Sequence, residues 1–211
     1  MTAVLFDWDG TLCDSRAAHL RAFQTTLAEF GIRFTFAEGK AVYTPAWQRM
    51  YQAFGLPESQ WRAADERWLH HYRGEEPALI PGAADVLETL RACGLKLGIV
   101  TAGTRDRIDR ELNRLGLSET FPATVCHEDV VEKKPHPEGL EQALRALGAT
   151  PGSCCYVGDT PDDIEMGRRA RVFTVAVLSD YVPRARLEES RPDLLMNGIA
   201  DLPAALSRYH G

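Results

Sequence analysis

Lys96-Leu97-Gly98-Ile99-Val100-Thr101-Ala102-Gly103-Thr104-Arg105 is an apolar, partly β-branched run that breaks into small and hydroxylated residues and then opens a stretch of helical periodicity. It has the outline of a strand, a tight loop and a helix. The outline recurs downstream. Strands are expected at Ala123–Cys126, Cys154–Gly158 and Val172–Leu178, with Leu194–Met196 as a weaker edge, and helices are expected to begin near Ala83, Arg105, Pro137, Pro161 and Asp201. Pro137 and Pro161 sit where a helix N-terminus tolerates proline. Strands alternating with amphipathic helices make βαβ units, so the expected fold class is α/β, a Rossmann-like parallel-sheet core.

Upstream, Ala3-Val4-Leu5-Phe6 supplies a first strand, and then the alternation stops. Residues 15–80 contain no convincing strand. Trp47, Tyr51 and Phe54 fall at i, i+4 and i+7, and Trp61, Trp68 and Tyr72 continue the period, as expected for the packed side of a small helical bundle. Pro81-Gly82 marks the return to the α/β pattern. The expected organisation is therefore a core of residues 1–14 and 81–211 with an inserted α-helical domain at 15–80.

Composition narrows the function. A chain of 211 residues can bury a full enzyme core, and its net charge of -6 argues against nucleic acid, whose binders present a basic face. No window approaches the ~18 apolar residues of a membrane span. Met1 leads straight into the apolar strand without the basic region or cleavage site of a signal peptide, so a cytoplasmic location is expected. Five cysteines without a C-x-x-C give no disulfide framework. Cys13 is expected to be a packed, inert thiol, and His127-Glu128-Asp129 a loop without zinc-site spacing.

The chemistry collects at strand ends. The first strand runs into Asp7-Trp8-Asp9-Gly10-Thr11-Leu12, the second into Thr101-Ala102-Gly103-Thr104, and the strand at 154–158 into Asp159-Thr160-Pro161-Asp162-Asp163. Lys133-Lys134-Pro135 follows the strand near 123–126. In open α/β sheets ligands bind at the carboxyl edge, so four strand ends bring carboxylates, a hydroxyl with backbone amides, and an ammonium to one place. Phosphoryl transfer needs that set: a nucleophile, a metal to offset repulsion between carboxylate and phosphate, and donors around the transferring oxygens.

In these four motifs, by order and spacing, the chain resembles the haloacid dehalogenase-like hydrolases, in the phosphatase branch with a helical cap after the first motif. The resemblance implies that Asp7 is the nucleophile forming an aspartyl-phosphate and that Asp9 is the acid–base, with its carbonyl helping to bind metal. It implies a Mg2+ site of Asp7, Asp9 and Asp159, with Asp163 standing behind them. Gly10, Thr101, Ala102 and Lys134 would bind phosphate oxygens, Lys134 also neutralising the nucleophile. Asp162, beside Asp163, would only cap the helix that follows.

The substrate implied is a small anionic phosphorylated metabolite, with a phosphoglycolate phosphatase-like activity favoured. The insert carries eight basic and seven acidic side chains. His19 and Arg49 are its candidate substrate contacts. The alternatives are a β-phosphoglucomutase-like mutase, in whose relatives a histidine at the position of His19 helps gate the reaction, and a non-catalytic phosphoryl-sensing module. Two departures favour hydrolysis: Ala41-Val42-Tyr43-Thr44-Pro45 lacks the mutases' Ser-Arg pair, and Thr101-Ala102-Gly103 differs from their Ser-Ala-Ser.

Overall fold

The computed structural model describes residues 1–43 and 47–208. Thr44 and Pro45, part of the loop contrasted above with the mutases, lie outside the described residues. In chain order the elements are β1 (Ala3–Phe6), then α1 (Arg16–Glu29), α2 (Phe36–Val42), α3 (Trp47–Ala53) and α4 (Trp61–Tyr72). They are followed by α5 (Ala83–Ala92), β2 (Lys96–Val100), α6 (Arg105–Arg114), β3 (Ala123–Val125) and α7 (Glu138–Leu147). The chain ends with β4 (Cys154–Gly158), α8 (Pro161–Arg169), β5 (Phe173–Val177), α9 (Arg184–Glu189), β6 (Leu194–Met196) and α10 (Leu202–Arg208).

The six strands form one parallel sheet in the order β3-β2-β1-β4-β5-β6. From β1 the chain builds outward to β3 on one side, then crosses to β4 and builds outward on the other. β1 and β4 therefore flank the switch point, where helices on opposite faces leave a crevice at the carboxyl edge.

Strand burial explains why these runs are continuously apolar. Val4 and Phe6 face a layer that includes Leu87, Ile108 and Leu202, whereas Ala3 and Leu5 face a layer that includes Leu140, Leu144 and Met166. A strand covered on both faces needs apolar residues at every position, not at alternate ones.

The chain divides into two compact units, Met1–Asp14 with Ala78–Gly211, and Ser15–Pro77. The boundary differs from the sequence expectation by three residues. Ala78, Leu79 and Ile80 belong to the α/β unit, because the Asp14 amide donates to the Ala78 carbonyl at 2.9 Å and the Ile80 amide to Leu12 at 2.8 Å. Leu79 also bridges antiparallel to Cys13. That short return ladder precedes Pro81-Gly82, the punctuation from which the boundary was read.

Within the insert α1 packs mainly on α4. Phe23 lies 5.8 Å from Tyr51 and 5.6 Å from Trp68, and Trp68 stacks on Tyr72 at 4.9 Å, so the aromatic stripe is the interior of this unit. Polar tips are satisfied locally, as where the Tyr51 hydroxyl donates to Asp65 at 2.9 Å. Among the described residues no helix is long and apolar enough to cross a membrane.

Candidate active site

Asp7 directly follows β1, and its amide extends the ladder to Val157 of β4 at 2.8 Å, so the backbone of the switch point holds it. The loop then closes on itself. The Trp8 carbonyl accepts from the amides of Leu12 and Cys13 at 3.0 and 2.9 Å, and the Gly10 amide donates to Cys13 at 2.8 Å. Gly10 has φ of 84°, a left-handed conformation that a Cβ would strain, and it turns the loop sharply just after Asp9.

Lys134 reaches the same point from the loop between β3 and α7. Its Nζ lies 2.6 Å from Asp7 Oδ1, 2.8 Å from Asp163 Oδ1 and 2.8 Å from the Tyr156 hydroxyl. The neighbouring Lys133 has a different task, donating to the carbonyls of His127 and Val130 at 2.6 Å each and so stapling its own loop. Asp163 Oδ2 accepts from the Thr160 hydroxyl at 2.6 Å and from the Thr160 amide at 3.1 Å. Thr160 and Asp163 form the capping box of α8, so one carboxylate both starts the helix and pairs with Lys134. Asp162, the other candidate cap, is not part of that box.

Thr101 is buried at the end of β2, and its hydroxyl accepts from the Gly103 amide at 3.0 Å, which tightens the loop that also carries Ala102. Asp159 is fully buried. The carboxylate oxygens of Asp7, Asp159 and Asp163 lie within 4.8 Å of one another. Burial holds the Asp7 carboxyl well above the ordinary carboxylate range against the pull of Lys134, and the charges of Asp163, Asp159 and Asp9 add to that rise. Burial also opposes charge on Asp163, but Lys134 and the hydrogen bonds from Lys134, Thr160 and Tyr156 outweigh it and hold its carboxyl below that range.

This arrangement fits a divalent cation. Three buried carboxylates gather beside the Lys134 ammonium, a crowding of negative charge that a divalent cation would relieve. The donors are all oxygens, as a hard ion such as Mg2+ prefers. Within the cluster, Asp7 and Asp159 would hold it, because both oxygens of Asp163 are already hydrogen-bonded within the protein.

Three participants escaped the sequence reading. Tyr156 sits inside β4, where an aromatic reads simply as core, yet its hydroxyl is 2.8 Å from Lys134 Nζ. Arg107 and Glu111 lie on α6, 4% and 2% exposed, and Arg107 pairs with Asp9 while Glu111 accepts from the Trp8 indole at 2.6 Å. Their i, i+4 spacing was the available signal, but such pairs mostly decorate solvated faces.

The other candidates are each accounted for within their own unit. His127-Glu128-Asp129 forms a one-turn 3-10 helix in which Glu128 accepts from the Arg105 amide at 2.9 Å and Asp129 from the Cys126 amide at 2.7 Å. Cys13 is buried, and burial, with Glu111 and Asp9 adding, pushes its thiol far above the ordinary range, so it is not a reactive thiolate. All five cysteines are unpaired thiols. In the insert, His19 Nδ1 lies 2.7 Å from the Tyr43 hydroxyl, with its ring 4.9 Å from Tyr72 and 5.4 Å from Trp68. Arg49 is exposed on α3.

Comparison with known proteins agrees with this geometry. Residues 4–177 match the family model described as haloacid dehalogenase-like hydrolase. A protein named pyrophosphatase PpaX from Oceanobacillus iheyensis is 30% identical over 201 residues, covering 94% of each chain. Its namesake from Bacillus mycoides is 31% identical over 215 residues, covering 100% of this chain and 99% of that one. Among solved structures, a protein from Haemophilus somnus 129pt named as a predicted phosphoglycolate phosphatase superposes with a TM-score of 0.88 at 20% identity, covering 98% of each chain. A Thermotoga maritima protein provisionally named a beta-phosphoglucomutase gives 0.80 at 21%, covering 99% of each. At those identities the structural likeness speaks for the fold alone. The match over most of the chain, with acidic, hydroxyl and lysine groups gathered at the switch point of the sheet, places this protein in the haloacid dehalogenase-like hydrolase family.

Proposed function

We propose that this protein is a magnesium-dependent phosphatase of small phosphomonoesters that works through an aspartyl-phosphate on Asp7. The observation that carries the reading is the short contact of Lys134 Nζ with Asp7 Oδ1, 2.6 Å, beside the buried Asp159 and Asp163. An ammonium there opposes the rise that burial and the neighbouring carboxylates impose on Asp7, and pairs with phosphate oxygens as they arrive.

In the first half-reaction an Asp7 oxygen attacks phosphorus, the bond from phosphorus to the ester oxygen breaks, and Asp9 gives its proton to the departing alkoxide. In the second, water attacks the phosphorus of the aspartyl-phosphate, Asp9 takes the proton from that water, and Asp7 and inorganic phosphate are released. Lys134 stays charged throughout, while Thr101 and the amides near Gly10 and Ala102 hold phosphate oxygens. A bound Mg2+ would neutralise phosphate charge and orient the group for in-line transfer. The helical insert would act as the cap that selects the leaving group and excludes water, with His19 and Arg49 as its candidate contacts.

Phosphoglycolate remains the favoured substrate class. Inorganic pyrophosphate is a second reading, supported by relatives of 30–31% identity that are named pyrophosphatases and align over nearly the whole chain. Phosphate release should be measured with Mg2+ and again with chelator, on 2-phosphoglycolate, pyrophosphate and a hexose 1-phosphate primed with the 1,6-bisphosphate. Chelator-sensitive release from either of the first two supports hydrolysis and ranks the substrates. Rapid isomerisation of the hexose phosphate with little free phosphate would make the protein a mutase instead.

A further inference from the structure

Asp9 is gripped by a residue to which the reaction above gives no part. From the first turn of α6, Arg107 Nη1 donates to Asp9 Oδ1 at 2.9 Å and Nη2 to Asp9 Oδ2 at 2.5 Å. A two-pronged contact of this kind fixes the plane of a carboxylate as well as its distance. One turn further on, Glu111 accepts from Arg107 Nη1 at 3.3 Å and from Trp8 Nε1 at 2.6 Å. Two charged residues on one face of α6 thus hold two consecutive residues of the loop after β1. Gly103 makes room for the grip, since a Cβ at that position would run into the Arg107 guanidinium and Ile108. Burying Arg107 and Glu111 against a partly buried Asp9 is costly, and a solvated helix surface would not require it.

We propose that Arg107 is a positioning residue for hydrolysis: it sets the orientation of the Asp9 carboxyl toward the leaving oxygen, and Glu111 holds Arg107 in place. The inference rests on the phosphatase reading above and deepens it. When Asp9 carries its proton, a guanidinium N–H still donates to its carbonyl oxygen, which leaves the O–H directed at the ester oxygen. That proton passes to the ester oxygen as its bond to phosphorus breaks and Asp7 takes the phosphoryl group.

The test compares kcat/KM for phenyl phosphate, whose phenoxide needs a proton to leave, with that for 2,4-dinitrophenyl phosphate, whose anion leaves without one. Because kcat/KM extends only through the first irreversible step, it reports transfer to Asp7 and not the later hydrolysis. Misdirecting an acid by about an ångström can cost roughly 10²-fold. The phenyl to dinitrophenyl ratio should therefore fall roughly 10- to 100-fold in Arg107→Met, and less in Arg107→Lys, whose ammonium replaces one contact of the fork. The double variant Arg107→Met with Glu111→Gln avoids an uncompensated buried carboxylate, keeps an acceptor for Trp8, and should show the same fall even where the single variant does not fold. Asp9→Asn supplies the ratio expected when acid catalysis is lost entirely. Equal losses on both esters, or an unaltered ratio, in the folded Arg107 variants would overturn the inference while a fall in Asp9→Asn leaves the phosphatase reading intact. A wild-type protein that cleaves neither ester, or an Asp9→Asn variant with the wild-type ratio, would sink that reading and the inference together.

Discussion

The two units of this chain bury their polar groups in opposite styles. In the α/β unit, charged side chains are buried and matched to one another, Lys134 with Asp7 and Asp163, and Arg107 with Asp9 and Glu111. In the insert the interior is aromatic. Its polar contacts include His19 with Tyr43 and Tyr51 with Asp65, and ion pairs such as Arg21 with Glu75 and Arg67 with Glu29 lie nearer the surface, although Arg16 is buried there too. Matched buried charges tolerate almost no displacement, because their attraction must repay desolvation at close range. Aromatic faces can slide with small losses. Under the proposed mechanism the difference suits a core that holds reacting atoms still and an insert that adjusts to a substrate.

Removing the nucleophile tests the rigid side of the comparison most severely. Asp7→Asn should lower phosphate release by ~10³-fold or more, since an amide is a poor nucleophile and one lost member of a catalytic unit costs about as much as all of them. Retention of most activity, or full activity of the wild-type protein in chelator, would show that the α/β unit does not work as argued here.

Lys134→Met should reduce turnover by roughly 10²-fold and, by leaving Asp7 and Asp163 buried without their cation, lower stability by about 3 kcal/mol in urea unfolding. The result would count against matched charge if turnover fell and stability did not.

Cutting the molecule where the two styles meet should separate them. The Asp14 amide already contacts the Ala78 carbonyl at 2.9 Å, so a short glycine linker can replace 15–77 without stretching either end. The α/β unit should stay folded by circular dichroism and cleave dinitrophenyl phosphate slowly, while its preference among metabolites collapses. An insoluble product would mean that the unit depends on the insert for its core.

The mildest effect is expected inside the insert. His19→Ala should change turnover by roughly tenfold or less, because the proposed mechanism gives acid–base work worth ~10²–10⁴ to Asp9. A loss on the scale of Asp7→Asn would move His19 from aromatic packing into the chemistry.

By itself, the sequence determined the α/β class and pointed to a helical insert, because both rest on short-range signals, while the candidate catalytic positions came from motif order and a family resemblance. β1, β2, β4 and β6 begin and end where their apolar runs do, and three of the four motifs sit directly at strand ends, with Lys134 further along the loop after β3. Lys134 could be told from Lys133 only through its place in a motif, and the structure gives the physical reason, one lysine reaching the carboxylates and the other bound to its own loop. The three boundary residues Ala78, Leu79 and Ile80, the two contacts of Asp163, and the contacts of Tyr156, Arg107 and Glu111 appear only in the tertiary structure. Arg107 stands 98 positions from Asp9 and Tyr156 stands 22 from Lys134. Local propensity and periodicity describe what a residue does to its own helix or strand, whereas these contacts exist only once the parallel sheet has brought separate strand ends within reach of one another.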